Sequence, residues 1–218
     1  MKEKLLIVGA GGHARSVIDI ALQDDGFEII GCIDAQNPKR CFVEDMECVP
    51  IVGNDDDLAK FLDQGINHIF VALGDNKLRN MIYEKVIEMG FNPVNIISNY
   101  AVISPRARLG KGICVMAGAV INVNAHIGDN CIINTNCSID HDCKIGKSVH
   151  VAPGVTLSGT VSVGDLTQIG TGASVIDGIT IGEGSFIGAG SVVVKDIGSG
   201  VLAYGVPAKK IKDFVRLG

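Results

Sequence analysis

The stretch that decides the fold reads Ile127-Gly128-Asp129-Asn130-Cys131-Ile132-Ile133-Asn134-Thr135-Asn136-Cys137-Ser138-Ile139-Asp140-His141-Asp142-Cys143-Lys144-Ile145-Gly146. Every sixth residue is isoleucine, and cysteine stands two places before each of the last three. Extended both ways, this aliphatic phase runs unbroken from Ile97 to Val193: seventeen positions, all Ile, Leu or Val, in a chain that is 47% hydrophobic. The phase two residues earlier is small or β-branched, from Ala119 and Ala125 through Cys131, Cys137 and Cys143 to Ala173. A longer period rides on the first: Leu109-Gly110, Ile127-Gly128, Ile145-Gly146, Val163-Gly164 and Ile181-Gly182 recur every eighteen residues. Six residues per side and eighteen per turn describe a three-sided prism, a parallel β-helix of hexapeptide repeats.

The period follows from the strand. Side chains alternate, so each short side points one large apolar residue inward, and a small residue fits the corner. Stacked coils pair their backbones and pile the aliphatics into internal ladders. Gly128, Gly146 and Gly164 are expected at positions of unusual backbone angle. No 3.6-residue stripe runs through the region, which excludes helices.

Composition narrows the function. The chain has 218 residues and a net charge of −5, with no basic run interleaved with aromatics, so a nucleic-acid partner is not expected. No 18-residue apolar run exists, so no membrane insertion is expected. Met1-Lys2-Glu3-Lys4 leads straight into a strand, and seven cysteines without secretory context fit reduced thiols, so a cytoplasmic location is expected. Six-residue spacing puts Cys131, Cys137 and Cys143 on three different sides of the prism, where they pack corners and share no metal.

The first hundred residues alternate strands and helices, which predicts a parallel, Rossmann-like α/β sheet ahead of the prism. Strands are expected at Lys4–Gly9, Glu28–Ile33, Ile69–Leu73 and Pro93–Ile97. Helices are expected at Ala14–Gln23, Leu58–Gln64 and Lys77–Met89, the second capped by Asn54-Asp55-Asp56-Asp57. The division is a Rossmann-like domain over 1–97, the β-helix over 98–200 and a C-terminal cap over 201–218, where Pro207 is expected to stop strand pairing. The first turn, Gly9-Ala10-Gly11-Gly12-His13-Ala14, fits GxGxxG/A, with Asp34 twenty residues on. Its glycines would let backbone amides approach a phosphate at a helix N-terminus. About four strands are too few for two mononucleotide halves, so one nucleotide is expected rather than NAD. The alternative is a turn that only packs helix on strand. His13 is either a ligand contact or a helix-capping donor. Gly53 is a further candidate, and so is the segment Gly74-Asp75-Asn76, which ends the third expected strand, because ligands of parallel sheets bind at strand carboxyl ends. Lys77 and Arg79 continue that segment, with a solvated helix start as the alternative reading for both.

Inside the prism the histidines are His126, His141 and His150. His141 lies between Asp140 and Asp142, and a carboxylate neighbour can fix its tautomer and raise its basicity. That suits a general base; a solvated wall histidine is the alternative. His150, nine residues on, cannot share a face with His141 in one subunit.

Taken together, Gly9-Ala10-Gly11-Gly12-His13, Asp34, the hexapeptides with Asp140-His141-Asp142, and Gly205-Val206-Pro207-Ala208-Lys209 resemble one bacterial family. It is the hexapeptide-repeat sugar acetyltransferase family, with the N-acetyltransferases of bacillosamine and perosamine synthesis and the sialic acid O-acetyltransferases. The resemblance covers the whole chain. It implies a homotrimer of left-handed β-helices, acetyl-CoA as co-substrate in the groove between neighbouring prisms, and no metal. It implies that His141 is the catalytic base with Asp142 beside it, and that His150, Gly159, Thr171 and Ala189 lie against acetyl-CoA. Gly11, Gly12, His13 and Asp34 match the nucleotide-sugar site.

The expected activity is acetyl transfer to the 4-amino group of a nucleotide-linked sugar of the UDP type. The rival is O-acetylation of sialic acid. More distant alternatives are an NAD-dependent oxidoreductase, a β-helical zinc hydratase using His126, His141 and His150, and a non-catalytic scaffold.

Overall fold

A computed structural model of the chain describes residues 2–23, 26–34 and 49–214. It divides into two compact units, Met1–Ile96 and Ile97–Gly218.

The first unit is a parallel sheet flanked by helices. Its elements are β1 (Glu3–Val8), α1 (Gly12–Leu22), β2 (Phe27–Ile33), β3 (Ile51–Gly53), α2 (Leu58–Asp63), β4 (His68–Val71), α3 (Asn76–Glu88) and β5 (Asn92–Pro93). The strand order is β3-β2-β1-β4-β5, with every pair parallel. Strand order therefore reverses at β1, and the carboxyl ends of β1 and β4 open a crevice there. Leu6, Val8, Ile69 and Val71 pack against Ile82, Tyr83 and Val86 of α3. Helix α1 buries Ala14, Val17, Ile18 and Ala21 at helical spacing. Asn54 caps the next turn as expected: its side chain accepts from the Asp56 amide and the Asp57 carboxylate accepts from the Asn54 amide.

Two strand expectations are corrected. β3 was not foreseen, because three residues behind Pro50 carry no period. The expected strand Pro93–Ile97 is split, with Asn92–Pro93 completing the sheet and a separate short strand at Ile96–Ile97.

The second unit is the prism. Two-residue strands recur every six residues and sort into three parallel faces. The first face contains Ser138–Ile139, the second Lys144–Ile145 and the third His150–Val151. Each strand pairs with the one eighteen residues away, as Ile121 with Ile139 and Ile139 with Leu157. From Val115 to Val193 every ladder residue is at most 4% exposed, whereas Ile97, in the first coil of the stack, is 36% exposed. Burial of each such side chain contributes roughly 1.5–3 kcal/mol, so the ladder is the main stabiliser of this unit.

The corners correct one glycine reading. Fourteen consecutive positions at six-residue spacing, from Gly112 to Gly190, have positive φ, and they include Asn124, Asn130, Asn136 and Asp142. This phase is rich in Gly, Asn and Asp because those residues tolerate the left-handed region. Gly128, Gly146 and Gly164 are not among them. They are glycines because the next coil is too close: a Cβ on Gly128 would lie 2.7 Å from the Gly146 carbonyl carbon, and one on Gly164 would lie 2.4 Å from the Glu183 nitrogen.

The C-terminal segment pairs on both sides of Pro207, contrary to expectation. Val201–Gly205 continues the third face beside Phe186–Ile187, and Ala208–Asp213 folds back antiparallel, with Gly205 opposite Ala208. Pro207 sits in the connecting turn, where no ladder amide is needed.

Candidate functional site

His141 stands in the corner between the first and second faces. The corner is stacked between two others. Asp142 donates its amide to the Val123 carbonyl at 3.1 Å, and Thr160 donates to the His141 carbonyl at 2.9 Å. Asp142 has φ 60, the left-handed conformation of this phase, and its carboxylate turns back onto its neighbour: Oδ2 lies 2.9 Å from His141 Nδ1. A carboxylate only accepts, so Nδ1 carries the proton and the neutral ring presents its lone pair at Nε2. Asp140 Oδ1 accepts from the His141 amide at 2.7 Å and from Asn122 Nδ2 at 2.9 Å. Asn124 Nδ2 donates to Asp142 Oδ1 at 3.2 Å. His141 remains about half exposed at 52%. The hydrogen bond to Asp142 holds its pKa above the ordinary histidine value, with the Asp140 and Asp142 charges adding to it. The Asp142 carboxyl is held low by His141 first and then by Asn124.

The imidazole lies on Gly159. A Cβ there would be 2.5 Å from Cε1 and 2.6 Å from Nε2 of His141. The glycine thus makes room for the ring, a role visible in sequence only as the eighteen-residue step from 141 to 159. The same step links Asn122 to Asp140 and Asn124 to Asp142, two supports that the sequence reading missed.

The other candidates lie elsewhere on the prism. His150 is on the third face, paired in register with Ile132 and Gln168, and its Nε2 is 3.1 Å from Asn134 Nδ2. Thr171 and Ala189 stack on the corner between the third and first faces, where Gly190 donates to the Thr171 carbonyl at 2.8 Å. One chain therefore brings Gly159 to His141 and sets His150, Thr171 and Ala189 apart from them. A groove of about 490 Å³ runs along the second face past His126, Lys144, Ser162 and Thr180. Among the described residues no three His, Cys, Asp or Glu side chains converge as a metal site.

In the first unit the glycine turn joins β1 to α1. Gly9 is required by the fold: φ is +107, and a Cβ would lie 2.9 Å from the Ala72 carbonyl oxygen. Gly11, Gly12 and Gly74 differ, since a Cβ on any of them would meet nothing within 4 Å among the described residues. Gly11 is the N-cap of α1 and supplies no side-chain cap. A cleft of about 360 Å³ opens beside Gly9, Gly11, Asp34 and Asp55. The Asp34 amide donates to Gly53 at 3.0 Å. Gly53 itself is explained by packing, because its Cβ position is 2.8 Å from Asp57 Oδ2.

Asn76 and Arg79 are each 1% exposed. Arg79 donates to the Leu73 carbonyl at 3.1 Å, to the Gly74 carbonyl at 3.3 Å and to Asn76 Oδ1 at 3.0 Å. The solvated reading therefore fails at Arg79, a buried clamp on the loop after β4, while Lys77 is exposed; only the i, i+3 step from Asn76 to Arg79 hinted at the clamp. His13 Nε2 is buried and has no hydrogen-bond partner among the described residues. Burial, and then the Arg79 charge, lower its pKa to about 4.

Comparison with known proteins joins the two units. Residues 4–86 match the PglD N-terminal domain, and residues 124–159 and 160–195 match the bacterial transferase hexapeptide (six repeats). The chain is 44% identical to a histidine-to-asparagine variant of perosamine N-acetyltransferase from Caulobacter crescentus, whose crystal structure holds CoA and GDP-perosamine. The match covers 96% of this chain and 97% of that one, with a TM-score of 0.90. It is 35% identical to the acetyltransferase domain of PglB from Neisseria gonorrhoeae in complex with acetyl coenzyme A, over 97% and 100% of the two chains, with a TM-score of 0.89. WeeI from Acinetobacter baumannii, 23% identical, shares the fold at a TM-score of 0.82 over 96% and 100% of the chains. A stretch of 106 residues is 36% identical to the uncharacterized protein L142 of Acanthamoeba polyphaga mimivirus; it makes up 49% of this chain and only 20% of that protein. With a PglD-type domain preceding a left-handed β-helix of hexapeptides, the chain belongs to the nucleotide-sugar N-acetyltransferase family, acyltransferases of the hexapeptide-repeat class.

Proposed function

We propose that this protein transfers the acetyl group of acetyl-CoA to the 4-amino group of a nucleotide-linked amino sugar, with His141 as the general base. The observation that carries this reading is the exposed His141–Asp142 pair, with Nδ1 committed to the carboxylate and Nε2 left to meet an acceptor. As the sugar nitrogen attacks the thioester carbonyl, Nε2 takes its proton, and Asp142 stabilises the resulting imidazolium. The carbon–sulfur bond breaks, and the same proton passes from Nε2 to the departing CoA sulfur. No acyl-enzyme is formed.

The acceptor's nucleotide is assigned to the crevice of the first unit. Gly11 and Gly12 leave open space at the N-terminus of α1, where partial positive charge gathers, and Gly74 does the same between β4 and α3. His13 and Asp34 flank that turn, and Asn76 contributes through the Arg79 clamp. Gly159, Thr171, Ala189 and His150 are assigned to acetyl-CoA. They occupy separate corners and faces of one prism, so the groove needs a second copy, which supports a homotrimer. The first face suits such contact, because its outward column, Val120, Ser138, Thr156, Ser174 and Val192, carries no charge. Five described cysteines are free, which fits a cytoplasmic enzyme, and no described helix is long and apolar enough to cross a membrane.

The test is thiol release from acetyl-CoA with UDP- and GDP-linked 4-amino sugars and free sialic acid as acceptors. Turnover with a nucleotide-linked amine supports the reading and identifies the base. Turnover with sialic acid alone replaces it with O-acetylation. Light scattering that gives a monomer removes the shared groove.

A further inference from the structure

We infer that Asn124, one coil before the catalytic corner, is a positioning residue that acts on His141 by holding the orientation of Asp142. The inference rests on the reading of His141 as the base and adds to it a residue with no substrate contact.

The argument begins with the freedom of a surface carboxylate. The last torsion of aspartate is broad and roughly two-fold, so one hydrogen bond to an exposed imidazole does not fix it. Here both oxygens are committed. Oδ2 faces His141 Nδ1 at 2.9 Å, and Oδ1 accepts from Asn124 Nδ2 at 3.2 Å. Because a carboxylate has no proton to give, the amide must present its nitrogen, which also fixes the Asn124 rotamer. The support is itself fixed. Asn124 has φ 57, its carbonyl oxygen lies 2.8 Å from His126 Nδ1, and the adjacent Val123 carbonyl takes the Asp142 amide. Asn122 repeats the device one step away by holding Asp140. The triplet Asn122-Val123-Asn124 is therefore a template under Asp140-His141-Asp142. The titratable groups around the pair are Asp140, His126 and Cys143.

Asparagines of this phase also bridge coils without any catalytic pair nearby: Asn130 Nδ2 donates to Ser148 Oγ at 2.8 Å, with φ 59 at Asn130. A purely architectural role for Asn124 would therefore look like Asn130. Glycine is the informative replacement at both, since it keeps the left-handed backbone and removes only the amide.

The experiment compares Asn124→Gly, Asn130→Gly and Asp142→Asn, alone and with Asn124→Gly, reading steady-state kinetics and the His141 imidazole titration by NMR. Asn124→Gly should lower kcat roughly 3- to 10-fold, the scale of one hydrogen bond, with both KM values within about twofold. It should also shift the His141 titration to lower pH, as should Asp142→Asn. Asn130→Gly should move thermal stability only, and Asn124→Gly should add nothing in the Asp142→Asn background. If Asn124→Gly does not fold, Asn124→Ser is read the same way, because Ser148 adopts this conformation with φ 54. The inference is overturned if Asn124→Gly leaves the His141 titration unmoved, if Asn130→Gly gives the same kinetic loss, or if the loss persists without the Asp142 carboxylate. Failure of the underlying reading is seen separately, as parental turnover by His141→Asn.

Discussion

His13 and His141 each stand a few residues past a buried strand, yet the two units treat them in opposite ways. His13 has a buried nitrogen beside a buried arginine and is driven neutral, its pKa near 4. His141 is exposed beside two carboxylates and is pushed toward the cation. The difference lies in how each unit holds a turn. In the sheet Gly11 and Gly12 of the turn are open, but the His13 ring nitrogen is buried, so desolvation dominates. In the prism the corner is held by the coils on either side and leaves the ring half exposed, so the hydrogen bond to the Asp142 carboxylate dominates. The first environment suits recognition of an anion without a proton change, and the second suits proton transfer.

The largest test of this contrast is to remove the exposed histidine. His141→Asn should reduce turnover about 10²- to 10⁴-fold while acetyl-CoA affinity, measured by calorimetry, stays near parental. Gly11→Ala should do the converse, raising the acceptor KM with the chain fully folded. If both changes weaken the same ligand, the division of labour fails. Gly159→Ala comes next. Its methyl would occupy the ring position, and displacing a catalytic group by about 1 Å can cost about 10²-fold. Unchanged kinetics would mean the ring has another seat.

The buried histidine should speak through stability. Its folded pKa is about 4 against an ordinary value of 6.5, so the unfolded chain binds the extra proton between those values. Stability is complete above the upper value and is lost as pH falls through the window, by at most about 3 kcal/mol. Urea titrations of the parent and His13→Asn should diverge in slope across that range; parallel curves would show His13 to be hydrated. Gly9→Ala should cost about 1–3 kcal/mol from its left-handed backbone, in contrast to Gly11→Ala, which should cost nearly nothing. The smallest effect is a shift of profile. The acid limb of kcat should lie above 6.5 because the base must be unprotonated and its pKa is raised, and Asp142→Asn should move it down. An unmoved limb would detach Asp142 from the base.

What could be read from the sequence follows the same division. In the prism the repeat is the register, so Ile121, Ile139 and Leu157 announce their own pairing, and the pair His141-Asp142 is adjacent in the chain. Gly159 entered only as a cofactor contact implied by resemblance and Asn124 not at all, although each is one coil from the pair, because composition gives no reason to look one coil away. The corner glycines were misread because Gly128 and Gly118 look alike as letters. Only the stacking shows that one avoids a collision with the next coil while the other has positive φ. In the sheet, β3 escaped notice because three residues set no period, and Arg79 did because a cation near a helix start ordinarily faces water. Its burial is decided by carbonyls that converge only after β4 has paired.

The stack also dictates how this protein can change length. The bonds described around His141 join adjacent residues or reach eighteen or nineteen residues to the next coil. A single residue inserted between Asn124 and Asp142 would slide the template out of register and turn the aliphatic ladder toward solvent from that point on. A whole coil added beyond Thr160 would leave the His141 corner untouched and only heighten the prism. Tolerated insertions in this unit should therefore come in complete coils or as loops bulging from a corner, and an insertion library screened for folded protein would show survivors at that spacing.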